Sequence, residues 1–203
     1  MSDKPAPEST DAADEQAETT EQPGEAVLSP EAMLETLAHQ ANEAAIFPGS
    51  LREEYLFAYD LLLDQSTVGR FIKGPLAPRV VRLANHRLVW PYYYPPAGTA
   101  LPTLLRTNRD EDAVWGVVYE TKRKDMKALE EYLRVPNRYH RRAVPVHDRG
   151  GRRIMAFAYV LSVQDPLPSK PSADFREKLA AAATERSLPE EWLAMLQALE
   201  TGD

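Results

Sequence analysis

Residues 113–119, Ala-Val-Trp-Gly-Val-Val-Tyr, form an unbroken apolar run rich in β-branched and aromatic side chains, which predicts a buried strand. The charged stretch after it repeats Met126, Leu129, Tyr132 and Leu133 at helical spacing, so a helix is expected over residues 122–134. Pro136 and Asn137 break it. Residues 139–146 resume as a strand, in which Pro145 favours an edge position or a bulge. Strand, helix and strand make a mixed α/β unit, around which the rest of the chain is arranged.

Upstream, residues 54–59 read as a first strand, and residues 65–78 as a short helix or turn with a loop, given Gly69, Gly74, Pro75 and Pro78. Residues 80–90 predict two strands about a tight turn at Asn85. Tyr92, Tyr93 and Tyr94 stand between Pro91 and Pro95, as rings of a cleft or interface or as a rigid surface loop. Residues 102–106 are a further strand and residues 108–112 an acidic turn. Downstream, residues 148–151 read as a hairpin turn and residues 152–163 as an alternating strand. A Pro-rich linker over 165–171 leads to two amphipathic pieces, 172–187 and 188–199; the second is opened by Pro189, with Trp192, Met195, Leu196 and Leu199 on one face.

The N-terminal part has a different texture. Residues 1–27 are rich in Ala, Glu, Thr, Pro and Asp, hold no aromatic residue, and predict a disordered acidic tail. Ser29-Pro30-Glu31 is a helix start with a Ser cap and Pro at the first helical position. Met33, Leu34, Leu37, Ala38, Ala41, Ala44 and Ala45 form its apolar stripe, and Phe47-Pro48-Gly49 ends it. The expected division is therefore a tail at 1–27, a helix and linker at 28–50, and a domain at 51–203.

Composition narrows the chemistry. The chain has 203 residues, 43% of them hydrophobic, enough for one compact core. It has no cysteine, hence no disulfide framework or thiolate metal site. Residues 1–27 carry eight acids and one base, which is −7, the whole of the net charge of −7. The rest is neutral, with 31 − 8 = 23 acids and 24 − 1 = 23 bases. A neutral domain argues against a nucleic-acid partner, and Arg134, Arg138, Arg141, Arg142, Arg149, Arg152 and Arg153 read as a solvated surface. No apolar run is long enough for a bilayer and no secretory pattern opens the chain, so a cytoplasmic protein with no membrane partner is the default. The four histidines lack metal-ligand spacing; His140 and His147 in one strand would stand about 23 Å apart on opposite faces. No metal site, P-loop, dinucleotide fingerprint or nucleophile elbow is present, and no cofactor is expected.

Val114-Trp115-Gly116-Val117-Val118-Tyr119, then Leu129-Glu130-Glu131-Tyr132-Leu133-Arg134, then Tyr139-His140-Arg141-Arg142-Ala143-Val144-Pro145-Val146 resembles the gamma-glutamylcyclotransferase superfamily. So do Phe57-Ala58-Tyr59 in the first strand, Ala158-Tyr159-Val160 near its last, and Phe175, Leu179, Leu188-Pro189-Glu190-Glu191-Trp192 and Leu196. The resemblance implies an α+β fold: a small mixed β-barrel flanked by helices, with a pocket at one end. It also implies where catalysis would sit, and there the sequence departs. The family's catalytic glutamate, which moves a proton from the substrate α-amine, falls on Leu133, and its Gly-Ser-Asn loop, whose backbone amides hold the substrate, falls on Asp60-Leu61-Leu62.

By this resemblance the pocket is expected at Tyr59, Asp60, Leu61, Leu62, Leu133 and Tyr159, with Asp60 or Glu130 as the only substitutes for the lost carboxylate. Two functions follow. One is a non-catalytic binding or assembly module with a small molecule or protein as its partner, a homo-oligomer staying open. The other is an active cyclotransferase that releases 5-oxoproline through a displaced carboxylate.

Overall fold

The computed structural model describes residues 54–73, 76–163 and 166–202. The expected tail at 1–27 and helix and linker at 28–50 lie outside the described residues. The strands are β1 (Glu54–Ala58), β2 (Arg79–Ala84), β3 (His86–Tyr94), β4 (Thr99–Arg106), β5 (Ala113–Thr121), β6 (Tyr139–Asp148) and β7 (Arg153–Leu161). The helices are α1 (Gln65–Val68), α2 (Arg123–Leu133), α3 (Ala173–Glu185) and α4 (Glu190–Gln197). Five strands close into a barrel in the order β1-β5-β2-β6-β7, while β3 and β4 form a separate two-stranded sheet. Neighbours run antiparallel except β1 and β7, which meet in parallel at Leu56 and Phe157. This is the α+β barrel with flanking helices.

The central strand β5 shows why the apolar run is continuous rather than alternating. Val114, Val117, Val118 and Tyr119 are all buried, because β5 lies between β1 and β2 and is covered on both faces. Gly116 is required by a close approach: a Cβ there would stand 2.2 Å from the Ala58 carbonyl oxygen. That contact sets β1 against β5 at the point where β1 ends.

Helix α2 buries Met126, Leu129 and Leu133, but Tyr132 is half exposed and packs its ring on Phe71, with centroids 4.8 Å apart. The apolar stripe is thus narrower than expected. The helix stops one residue after Leu133, where Arg134 takes a left-handed conformation (φ 57°) and its N–H reaches the Glu130 and Glu131 carbonyls. Pro136 and Asn137 follow in the turn.

The two strands expected about Asn85 are β2 and β3, and the turn there (φ 58°) carries the chain from the barrel into the second sheet. The reading of the tyrosines as a surface loop is corrected, because β3 runs on through Tyr94. The register slips between Val89 and Tyr92, so Pro91, which has no N–H, is left out of the ladder with β4. On the side of β3 away from β4, the Trp90 and Pro91 carbonyls accept from Ser169 (2.9 Å) and Leu167 (2.8 Å).

Candidate cleft at the end of β1

The residues after β1 fold into a tight turn whose position is over-determined. Leu61–Leu63 form one turn of 3-10 helix, and the Leu63 carbonyl accepts from Tyr119 Oη (3.2 Å) and Arg186 Nε (2.7 Å). Asp64 then caps α1: its carboxylate accepts from the Ser66 and Thr67 amides and from both hydroxyls. Those bonds, the Ser66 hydroxyl first, hold its pKa down at about 2. Asp60 caps the 3-10 turn, its Oδ1 accepting from the Leu62 amide at 2.9 Å.

Beside this turn lies a cleft of about 600 Å³. Leu61, Leu62, Leu101 and Leu133 give it apolar walls, and Asp60, Tyr94 and Tyr139 bring polar groups. Arg70, Arg134 and Arg138 line it as well, with Lys178 and Asp174 paired at 2.6 Å. Asp60 is partly exposed as a residue, but its carboxyl group is desolvated. That burial raises its pKa above the ordinary carboxylate value, against a smaller opposing effect of the Leu62 amide. Tyr139 is raised too, first by burial and then by the nearby Asp60 carboxylate.

Of the residues expected at the pocket, Asp60, Leu61, Leu62 and Leu133 line the cleft, and Tyr59 and Tyr159 do not. Tyr59 points into the core, where its hydroxyl donates to the Tyr159 carbonyl. The Tyr159 hydroxyl donates instead to Glu130 Oε1 at 3.0 Å. Glu130 also receives Arg141 Nη1 at 3.3 Å, and Arg141 Nη2 reaches Glu54 at 2.8 Å. The Arg141 guanidinium lies 3.6 Å above the centre of the Phe157 ring. Glu130 is thus held in a network away from the cleft.

The reading of the arginines as one solvated surface is also corrected. Arg141 is mostly buried between two carboxylates, while Arg134 and Arg138 face the cleft. Their signal was present in the sequence: both flank the Pro136-Asn137 turn that directly follows Leu133. Among the described residues no group of three or more His, Asp or Glu is placed to hold a metal ion, and no helix is long and apolar enough to cross a membrane.

Residues 113–196 match the model of the AIG2-like family. The fold is similar to a gamma-glutamyl cyclotransferase at a TM-score of 0.67 and 22% identity, over 74% of this chain and 90% of that one. It is similar to an uncharacterized protein from Homo sapiens at 0.67 and 23%, over 75% and 91%. A gamma glutamyl cyclotransferase specific to glutathione from yeast follows at 0.54 and 14%, over 72% and 94%. No curated protein matches the chain. The chain has the gamma-glutamylcyclotransferase-like fold.

Proposed function

We propose that the protein is a binding module that keeps the barrel and cleft of this superfamily without its cyclotransfer chemistry. The observation that carries this is the Asp60 carboxylate bonded to the Leu62 amide at 2.9 Å. A carboxylate of the chain itself takes up an amide at the start of the turn, the kind of donor that would hold the carboxylate of a glutamyl substrate. Asp60 also repels a second carboxylate brought close to it while it is ionised.

Proton transfer supports the same reading. A general base must stand within hydrogen-bond reach of the amine it deprotonates. Leu133 offers no acceptor, and Glu130 is engaged by Arg141 and Tyr159. Of the two carboxylates that line the cleft, Asp174 pairs with Lys178 and Asp60 serves as a cap.

The test is 5-oxoproline release by the purified protein from a panel of γ-glutamyl peptides and amines, with Leu133→Glu beside it. Silence from the native protein is expected. Silence is also expected from Leu133→Glu, because Asp60 still caps the turn. Turnover by the native protein that vanishes in Asp60→Asn would overturn the proposal and make Asp60 the base.

A further inference from the structure

The cleft holds more positive than negative charge. Arg70, Arg134, Arg138 and Lys178 face Asp60 and Asp174, and Lys178 is taken up by Asp174. Among the described residues no ion pair joins Arg70, Arg134 or Arg138 to a carboxylate.

A solvated arginine needs no partner, but Arg138 is partly buried and held in place. Its guanidinium lies 4.2 Å from the centre of the Tyr94 ring, and Nη2 donates to the Tyr94 hydroxyl at 2.7 Å. That bond uses one of the five N–H donors of the fork. The Arg138 amide bonds back to the Arg134 carbonyl at 2.9 Å, so one closed turn presents both arginines. Arg70 comes from a different element, beyond α1, and stands 5.8 Å from the centre of the Tyr132 ring. The cleft therefore combines cations from separate elements with aromatic and leucine walls.

We propose that this cleft binds a small organic dianion, a dicarboxylate or a phosphate monoester on a planar or apolar body, with Arg138 as its main anchor. The inference rests on the cleft being the binding site of the module. Guanidinium forks match carboxylate and phosphate oxygens in pairs. A volume of about 600 Å³ suits an organic ligand better than a bare ion. The acid groups engage the arginines at the mouth, and the body lies between the rings and Leu61, Leu62 and Leu133.

The test is calorimetric titration of the full chain with phenyl phosphate and with phthalate, against inorganic phosphate and the neutral benzamide. Saturable binding of at least one of the two organic dianions is expected, weaker for inorganic phosphate and absent for benzamide; which dianion binds names the acid group. Arg138→Gln should weaken it about tenfold or more, Arg138→Lys by less, and raised salt should weaken it too. Arg70→Gln, checked like Arg138→Gln by thermal melting, gives a second variant should the first lose its fold.

Arg152→Gln removes the same charge at an exposed site outside the cleft, and should change the affinity less than about twofold. No saturable binding of either dianion, or an equal loss in Arg152→Gln, overturns the proposal. The 5-oxoproline assay on the same preparation separates the two readings: turnover counts against the non-catalytic reading, and failed titration with no turnover counts against the anion site alone.

Discussion

The two sides of α2 treat charge in opposite ways. On one side, Glu130 shares Arg141 with Glu54 and accepts from Tyr159, so acids, cation and hydroxyl are matched in a largely buried cluster. On the other, Leu133 faces a cleft in which guanidinium groups outnumber carboxylates and none is ion-paired among the described residues. One turn of helix separates them. The matched side docks α2 against β1, β6 and β7; the unmatched side is left to be completed by something else. The ion-paired cluster is architecture, and the cleft, whose arginines have no carboxylate partner among the described residues, is open to a ligand.

Breaking the matched side should have the largest effect. Arg141→Met leaves Glu54 and Glu130 without their cation at low exposure, and a loss of about 3 kcal/mol or more is expected from the urea midpoint. A loss below about 1 kcal/mol would mean that water reaches these carboxylates and the contrast fails.

A smaller, pH-dependent effect is expected at Asp60. Burial raises its folded pKa above the ordinary 3.8, so its contribution to stability is full below that value and is lost as pH rises through the raised one. Asp60→Asn cannot ionise and should gain on the native chain as pH rises above about 4. A constant difference across that range would show the carboxyl to be solvated. The least effect belongs to the rim pair: Lys178→Ala, with both partners mostly exposed, should cost no more than about 0.5 kcal/mol.

What was legible in the sequence follows the range of the interactions. The apolar run at 113–119, the helical spacing before Leu133 and the turn at Asp148 are local patterns, and the structure follows them. The barrel came from matching motifs along the chain rather than from periodicity, which cannot say that β1 lies beside β7 in parallel. Tyr94 and Arg138 are 44 positions apart, and Tyr159 and Glu130 are 29 apart, so neither pair leaves a local trace. The tyrosines between two prolines read as rings of a cleft or interface or as a surface loop; one bulge is enough to carry a strand past Pro91, and Tyr94 lines the cleft. Asp60 read as a carboxylate in place of the loop glycine, and its bond to the amide two residues on is the ordinary habit of Asp at a turn.

The outer side of β3 has a consequence for how the molecule behaves in a crowded solution. An edge strand of a two-stranded ribbon is a template on which a neighbouring chain can add itself. Here Pro91 offers no donor, and Leu167 and Ser169 already occupy the carbonyls of Pro91 and Trp90. A would-be stacking partner has to peel that segment away before it can pair, so the ribbon is guarded against runaway self-assembly. The guard is held at its C-terminal end: Ser172, just beyond it, gives its amide to the Thr99 hydroxyl and caps α3 with its own hydroxyl. Shortening residues 166–171 would leave cleft and barrel untouched in outline, and would turn the domain toward aggregation along this one edge.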